Sequence, residues 1–271
     1  MSKNKLEQIP FLRWAGGKRW LVSKHMDLFP QKYNKYIEPF LGGGSVFFSL
    51  QPKSALLSDL NSKLITTYQF IQQDPDLLIK TLSKHSKKHS KEYYYYIRDR
   101  NPYSKKEIAA QFIYLNRTCF NGIYRVNKKG KFNVPFGKKD KVFLDTDNFH
   151  NISTILQNCE IIHSDFAATI DSAKKNDFLF VDPPYTVAHN NNGFIQYNEK
   201  FFSWDDQIRL SKKLLEAKER GVLIMMTNAN HKNIKELYEE HFNLLEVSRY
   251  TSVSGLSKNR KSYSELIIRS Y

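Results

Sequence analysis

The sequence predicts an open, doubly wound α/β sheet interrupted by an inserted, mainly helical segment. Tyr36-Ile37 leads through Glu38-Pro39-Phe40-Leu41 into Gly42-Gly43-Gly44 and the apolar Val46-Phe47-Phe48, a pattern of strand, glycine turn and helix. The apolar run Phe178-Leu179-Phe180-Val181 stops at Asp182-Pro183-Pro184-Tyr185, as a buried strand stops at the edge where such sheets place ligands. Between these two features the alternation of strand and helix lapses for about 80 residues, and positive charge accumulates there.

Each element follows from its local pattern. After the glycine turn, Ala55-Leu56-Leu57-Ser58 forms a second short strand ending at Asp59, and a helix runs from about residue 61 to 71. Residues 77–87 and 105–115 have helical spacing, with Tyr93-Tyr94-Tyr95-Tyr96, Arg98, Arg100 and Pro102 between them. Residues flanking Asn127-Lys128-Lys129-Gly130 alternate, which predicts a β-hairpin over about 118–136. A hairpin with this much Lys, Arg and Asn either enters a nucleic-acid groove or is an ordinary surface hairpin. The α/β rhythm returns with a strand at 159–163, close to Asp165-Phe166, and with the strand at 178–181. A long amphipathic helix at 204–220, a buried strand at 222–227, a helix at 231–240 and strands near 244–250 and 265–269 complete the chain. The predicted organisation is a catalytic domain over 1–75 and 145–271, with a target-recognition domain over 76–144.

Composition narrows the function class. Of the 271 residues none falls in an apolar stretch near the roughly 20 needed to span a bilayer. The polar start Met1-Ser2-Lys3-Asn4-Lys5 lacks the apolar core of a secretory signal, so a cytoplasmic address is expected. Cys119 and Cys159 cannot build a disulfide framework and have no partner at zinc-ligand spacing, and no metal is expected. The formal charge is +15, and its placement says more than its size. Residues 79–141 hold 17 Lys and Arg against 4 Asp and Glu, a net +13, leaving the rest nearly neutral. A neutral body with one strongly basic segment points to a catalytic core joined to a nucleic-acid-binding module.

The chemistry is carried by the strand ends. Pro183 and Pro184 have no N–H and a fixed φ, so they end the strand and leave carbonyl oxygens as rigid acceptors. Asp182 and the Pro183 carbonyl can hold an exocyclic amino group while Tyr185 stacks on its ring. The glycine run suits a cofactor carboxylate or a phosphate equally well. Asp59, 21 residues after Glu38, stands where an acidic residue binds ribose hydroxyls. Without a Walker Gly-Lys-Ser/Thr sequence, a nucleoside with a small polar tail fits better than a triphosphate. S-adenosylmethionine is such a molecule. A base inside a duplex reaches such a pocket only by rotating out of the stack, which costs a few kcal/mol.

Other residues invite two readings. His85 and His89 lie four apart, but with no further ligand nearby they read as a solvated helix face. At most two of the four consecutive tyrosines are expected to touch DNA, with the others in the core. Asn190-Asn191-Asn192-Gly193 reads as a flexible loop beside the pocket, either a lid or plain disorder without ligand. Trp14 is a cofactor contact or only a core residue.

These motifs, in this order, resemble the Dam-type site-specific DNA adenine-N6 methyltransferases, the D12 class, alpha group. The resemblance covers almost the whole chain. Phe11-Leu12-Arg13-Trp14-Ala15-Gly16-Gly17-Lys18 is similar to the family's amino-terminal motif, 38–44 to its cofactor motif, 116–137 to its recognition hairpin and 182–185 to its catalytic motif. It implies a Rossmann-like S-adenosylmethionine-dependent methyltransferase sheet and transfer of a methyl group to N6 of a flipped-out adenine in duplex DNA. Catalysis would lie with Asp182, Pro183, Pro184 and Tyr185. Trp14, Lys18, Asp59 and Asp182 would contact the cofactor, Glu38, Phe40 and Gly42 would line its pocket, and Asp165 with Phe166 would hold its adenine. DNA would be met by Arg117, Phe120, Asn121, Arg125, Asn133, Pro135 and Lys139, and by Lys258, Arg260 and Lys261 of a basic carboxyl-terminal loop that precedes Glu265. Arg125 would read a guanine from the major groove, and Phe120 departs from the tyrosine of many relatives. GATC is the expected site, with a longer GA-containing site of a restriction system as the alternative. A restriction endonuclease acting on the same site, without a stable complex, is the further partner considered. Methylation of RNA or of a protein amide is the competing enzymatic reading, and a DNA-binding protein with a vestigial cofactor fold is the non-enzymatic one.

Overall fold

Short apolar runs, several buried on both faces, build the strands of the sheet. They are β1 (Tyr36–Glu38), β2 (Ala55–Asp59), β3 (Cys159–His163), β4 (Phe178–Val181), β5 (Leu223–Ala229), β6 (Asn243–Tyr250) and β7 (Ser262–Arg269). The structure is a computed structural model and describes residues 8–122, 124–127, 131–186, 202–250 and 262–271. Its seven strands are ordered β3-β2-β1-β4-β5-β7-β6. β1 pairs in parallel with both β2 and β4, and β4 pairs in parallel with β5, Val181 lying opposite Met226. β7 runs antiparallel to both β5 and β6. The chain therefore leaves β1 on one side and returns to it on the other as β4, which makes the β1–β4 boundary a topological switch point.

The helices are α1 (Arg19–Lys24), α2 (Ser45–Leu50), α3 (Ser62–Gln73), α4 (Pro75–Lys87), α5 (Lys91–Asp99), α6 (Lys105–Thr118), α7 (Phe149–Leu156), α8 (Phe166–Asp171), α9 (Trp204–Glu219) and α10 (Lys232–Tyr238). Their starts are written in capping residues. The side chains of Asn61, Asp74 and Ser90 accept from the N–H groups of Leu64, Leu77 and Tyr93, and Pro75 occupies the first turn of α4. Ser203 and Asp206 form a reciprocal capping box that opens α9. α1, α7 and α8, of six to eight residues, escape the sequence pattern because two turns are too short to show an apolar period. No helix among the described residues is long and apolar enough to cross a membrane.

Two compact units emerge. The first comprises Met1–Leu28, Leu41–Lys53 and Asp59–His163. Within it α6 is buried along most of its length, from Ala109 to Thr118. Gln111 donates to the carbonyls of Ile97 (2.6 Å) and Arg100 (2.9 Å), closing the carboxyl end of α5. The expectation of a solvated His pair is corrected here. His85 is buried and its Nδ1 meets the Tyr93 hydroxyl at 2.9 Å, while His89 Nδ1 meets the Tyr114 hydroxyl at 2.8 Å. Sequence spacing could not show that tyrosines from α5 and α6 converge on them. The two arms of the expected hairpin meet at isolated antiparallel bridges, Cys119 with Phe136 and Val126 with Phe132, rather than along a continuous ladder. A helical turn at Phe120–Gly122 interrupts the first arm, with Asn121 at φ 58° and Gly122 at φ 65°. Pro135 in the other arm has no N–H to return a bond, although its carbonyl accepts from Phe120 N at 2.9 Å. Residues 128–130 at the hairpin tip lie outside the described residues.

The second unit comprises Phe29–Phe40, Ser54–Ser58 and Ser164–Tyr271. Tyr36, Phe178, Phe180, Ile224, Met225 and Met226 are almost wholly buried in it, each side chain worth about 1.5–3 kcal/mol against exposure. Gln207 of α9 donates to the Tyr238 hydroxyl at 2.7 Å and accepts from Asn228 of β5 at 3.2 Å, fixing α9 over the sheet.

Candidate active site

In the second unit the two strands at the switch point end in carboxylates. Glu38 closes β1 and is 3% exposed, its Oε2 accepting from the Tyr36 hydroxyl at 2.9 Å. Burial, and then the neighbouring Glu38 charge, push the Tyr36 phenol well above its ordinary range, so it remains a donor. Asp182 follows β4 directly. Its Oδ1 accepts from the Thr227 hydroxyl at 2.6 Å. Pro183 is buried, Pro184 and Tyr185 are half-buried, and the Tyr185 hydroxyl donates to Glu265 Oε2 at 2.9 Å. A carboxylate, a proline carbonyl and a flat aromatic ring thus lie within four residues, the carboxylate tied by a hydrogen bond to β5 and the ring by another to β7.

Asp165 and Phe166 open α8 in the same unit. Asp165 Oδ1 accepts from Ala167 N (2.9 Å), and its two oxygens take a bidentate guanidinium from Arg209 at 2.7 and 2.9 Å. The hydrogen bonds from Arg209 hold the Asp165 carboxyl below its usual range. The Arg209 guanidinium also lies 4.1 Å over the Phe166 ring, and Phe40 stacks on Phe166 at 5.4 Å between centroids. Arg209 escaped the sequence reading, since 44 residues separate it from Asp165.

The first unit holds the remaining cofactor candidates. Gly42 has φ +49°, and a Cβ built on it would lie 2.6 Å from Trp14 Nε1, so both backbone conformation and space demand glycine. Gly42 N donates to Asp59 Oδ2 at 3.0 Å and Asn61 N to Asp59 Oδ1 at 2.9 Å, tying the glycine turn to the end of β2. Burial holds the Asp59 carboxyl above its ordinary range, against the lowering effect of these N–H donors. Lys18 is 2% exposed, and its Nζ donates to Gly16 O at 2.9 Å. Trp14 stacks on Tyr124 with ring centroids 5.8 Å apart and planes 14° from parallel. Arg13 and Asn116 exchange two bonds, Arg13 N to Asn116 Oδ1 (3.0 Å) and Asn116 Nδ2 to Arg13 O (2.9 Å). These links between the amino-terminal motif and α6 left no signal in the sequence.

Among the expected DNA-contacting residues, Phe120 is 52% exposed, and Asn121, Arg125, Asn133, Pro135 and Lys139 are also exposed. Arg117 is a correction. It is 2% exposed, its guanidinium pairs bidentately with Asp147 at 2.6 and 2.7 Å, and it donates to the carbonyls of Val142 (2.7 Å) and Phe11 (2.9 Å). A guanidinium so engaged staples the first unit and presents nothing to a phosphate. Lys258, Arg260 and Lys261, and the Asn190-Asn191-Asn192-Gly193 loop, lie outside the described residues. No group of three His, Cys, Asp or Glu among the described residues is placed to hold a metal ion.

Comparison with known proteins places the whole chain beside one family. A family model described as D12 class N6 adenine-specific DNA methyltransferase matches residues 14–253. The type II methyltransferase M1.LlaDCHI of Lactococcus lactis is 37% identical over 100% of this chain and 98% of its own length. The type II methyltransferase M.MjaIII of Methanocaldococcus jannaschii is 36% identical over 98% of this chain and 100% of its own. The DNA adenine methylase of Haemophilus influenzae is 32% identical over 98% and 94%.

Proposed function

The chain belongs to the D12 class of N6 adenine-specific DNA methyltransferases, and from that premise we propose that it methylates a flipped-out adenine within GATC, using S-adenosylmethionine. The observation that carries the amine-methylation part of this reading is the Asp182–Tyr185 turn at the carboxyl end of β4, the strand paired with β1, which ends at Glu38.

The residues of the second unit suit this cofactor. Glu38 and Asp182 are carboxylates, Asp165 is held in a bidentate pair with Arg209, and Phe40 with Phe166 adds stacked apolar faces. These acceptors and apolar faces favour a flat purine and the positive charge of a sulfonium and an ammonium, and they disfavour a polyphosphate. Trp14, Lys18, Gly42 and Asp59 are assigned to the same molecule, with Asp59 at its ribose. When bound, S-adenosylmethionine supplies an electrophilic methyl group.

The chain's own residues do the rest. The lone pair of an exocyclic amine is delocalised into its ring, which makes it a poor nucleophile. Asp182 and the Pro183 carbonyl accept its two N–H bonds, favour a tetrahedral nitrogen and stabilise the positive charge that develops on it. The cationic nitrogen gives up one proton after transfer, through the Asp182 carboxylate to solvent. Tyr185 stacks on the extruded base, and Phe120 fills the gap in the duplex, offsetting part of the few kcal/mol that extrusion costs.

Residues 76–144 are assigned to target recognition, Arg125 to a guanine edge, and the loop with Lys258, Arg260 and Lys261 to the backbone. The names of the type II relatives support a second setting, a restriction-modification system, in which a separate endonuclease acting on the same site is the partner we consider. Mapping methylated positions in the genome of cells expressing this chain tests the base and the site. N6-methyladenine confined to GATC supports the reading, a different GA-containing site overturns GATC alone, and no modified adenine overturns the whole.

A further inference from the structure

We propose that Thr227 and Glu265 are positioning residues that fix the two working parts of the Asp182–Tyr185 turn separately, Thr227 the acceptor and Glu265 the stacking ring. The inference rests on the role proposed above for that turn.

The two residues come from the strands beyond β4. In the β5–β7 pairing Thr227 is opposite Ile267 and Ala229 is opposite Glu265. Paired residues share a face, and so do residues two apart along a strand, so Thr227 and Glu265 belong to one face of the sheet. Thr227 is wholly buried and Glu265 is 5% exposed. Each reaches a different side chain of the turn. The Thr227 hydroxyl donates to Asp182 Oδ1 at 2.6 Å, and the Tyr185 hydroxyl donates to Glu265 Oε2 at 2.9 Å.

An aspartate carboxylate turns readily about its last torsion, and two prolines stiffen the backbone without fixing that rotation. A short bond from a buried hydroxyl on a neighbouring strand selects the rotamer. Tyr185 likewise has a ring whose azimuth the prolines leave open, and its hydroxyl is anchored 80 residues away in the chain. A ring held at its outer end offers a fixed platform to a base, which lowers the ordering cost of receiving it. The two anchors therefore act on different steps: Thr227 on methyl transfer to a seated base, Glu265 on seating the base.

Single-turnover methylation of a mapped-site duplex, and of the same duplex with the target adenine mispaired, separates these roles. A mispaired base costs less to extrude. Thr227→Val is expected to slow transfer roughly tenfold or more on both duplexes with unchanged duplex Kd, as loss of one hydrogen bond to a charged acceptor predicts, and Thr227→Ser restores it. Glu265→Leu is expected to slow transfer on the paired duplex and recover on the mispaired one, with Glu265→Gln retaining the acceptor and the rate. Tyr185→Phe should match Glu265→Leu, and the double variant should be no worse than either. Thermal melting of every variant establishes that it is folded. Thr227→Val within twofold of wild type, additive losses for Tyr185→Phe and Glu265→Leu, or failure of the Ser and Gln variants to restore the rate each overturn the positioning roles. A wild-type chain inactive on every duplex overturns the function proposed above instead.

Discussion

Asp182 carries the proposed chemistry by virtue of three neighbours: the strand that ends before it, the proline that follows it and the hydroxyl beneath it. Asp182→Ala is expected to abolish methyl transfer while duplex binding persists, measured as turnover against Kd. Retained turnover would remove the acceptor role. Arg117 shows how the same residue type serves another end. Its charge is cancelled within the fold by Asp147, with side-chain exposures of 1% and 7%. Burial draws the guanidinium below its ordinary range while its bonds to Asp147 oppose that. Arg117→Ala leaves a carboxylate without its partner in a dry site, and is expected to cost about 3–5 kcal/mol of stability in denaturant unfolding. Duplex affinity of the folded fraction should be unchanged. A variant as stable as wild type but weak on DNA would return Arg117 to the interface.

At the scale of elements, local chemistry sets where helices begin and tertiary contacts set what they present. α9 begins at a capping box in which Ser203 Oγ accepts from Asp206 N at 3.1 Å and Asp206 accepts from Ser203 N at 3.0 Å. Ser203→Ala should cost about 1 kcal/mol of stability, seen as a lowered midpoint with unchanged denaturant slope. α4 meets α5 and α6 through His85, which bonds the Tyr93 hydroxyl and lies 5.3 Å from the Tyr114 ring, and which burial keeps neutral. Burial is the largest cause lowering the His85 pKa, from 6.5 to about 4. Between those values the unfolded chain binds more protons than the folded one, so stability is intact above about pH 6.5 and falls as pH drops towards 4. Replacing His85 with Gln should flatten that part of the stability profile, and an unchanged slope would exclude His85 as its source. The 119–136 segment was legible as paired arms but not as bridged ones, because the alternation survives a helical turn at Phe120–Gly122 while the ladder does not.

For the whole molecule, charge is the property most directly tied to its partner. With +15 overall and +13 of it in residues 79–141, duplex binding should be strongly electrostatic. Six or more phosphate contacts would weaken affinity roughly 10³-fold between about 50 and 200 mM salt, read from the slope of log Kd against log salt. A shallow slope would mean that the basic segment faces solvent rather than a backbone.

The sequence by itself determined the order of the strands and of the longer helices, the glycine turn at Gly42, the carboxylates at the ends of β1, β2 and β4, and the basic segment. Each is a local pattern: a period, a run, a breaker or a count. Only the tertiary structure decided which distant residues serve those patterns. Thr227 and Glu265 became partners of the 182–185 turn because β5 and β7 lie successively beyond β4. Arg209 of α9 reached Asp165 at the start of α8, and Arg117 of α6 turned inward to Asp147, through helix packing equally remote in sequence. A strand's apolar run encodes its burial, whereas the identity of its neighbour depends on long-range pairing that no single stretch of sequence contains.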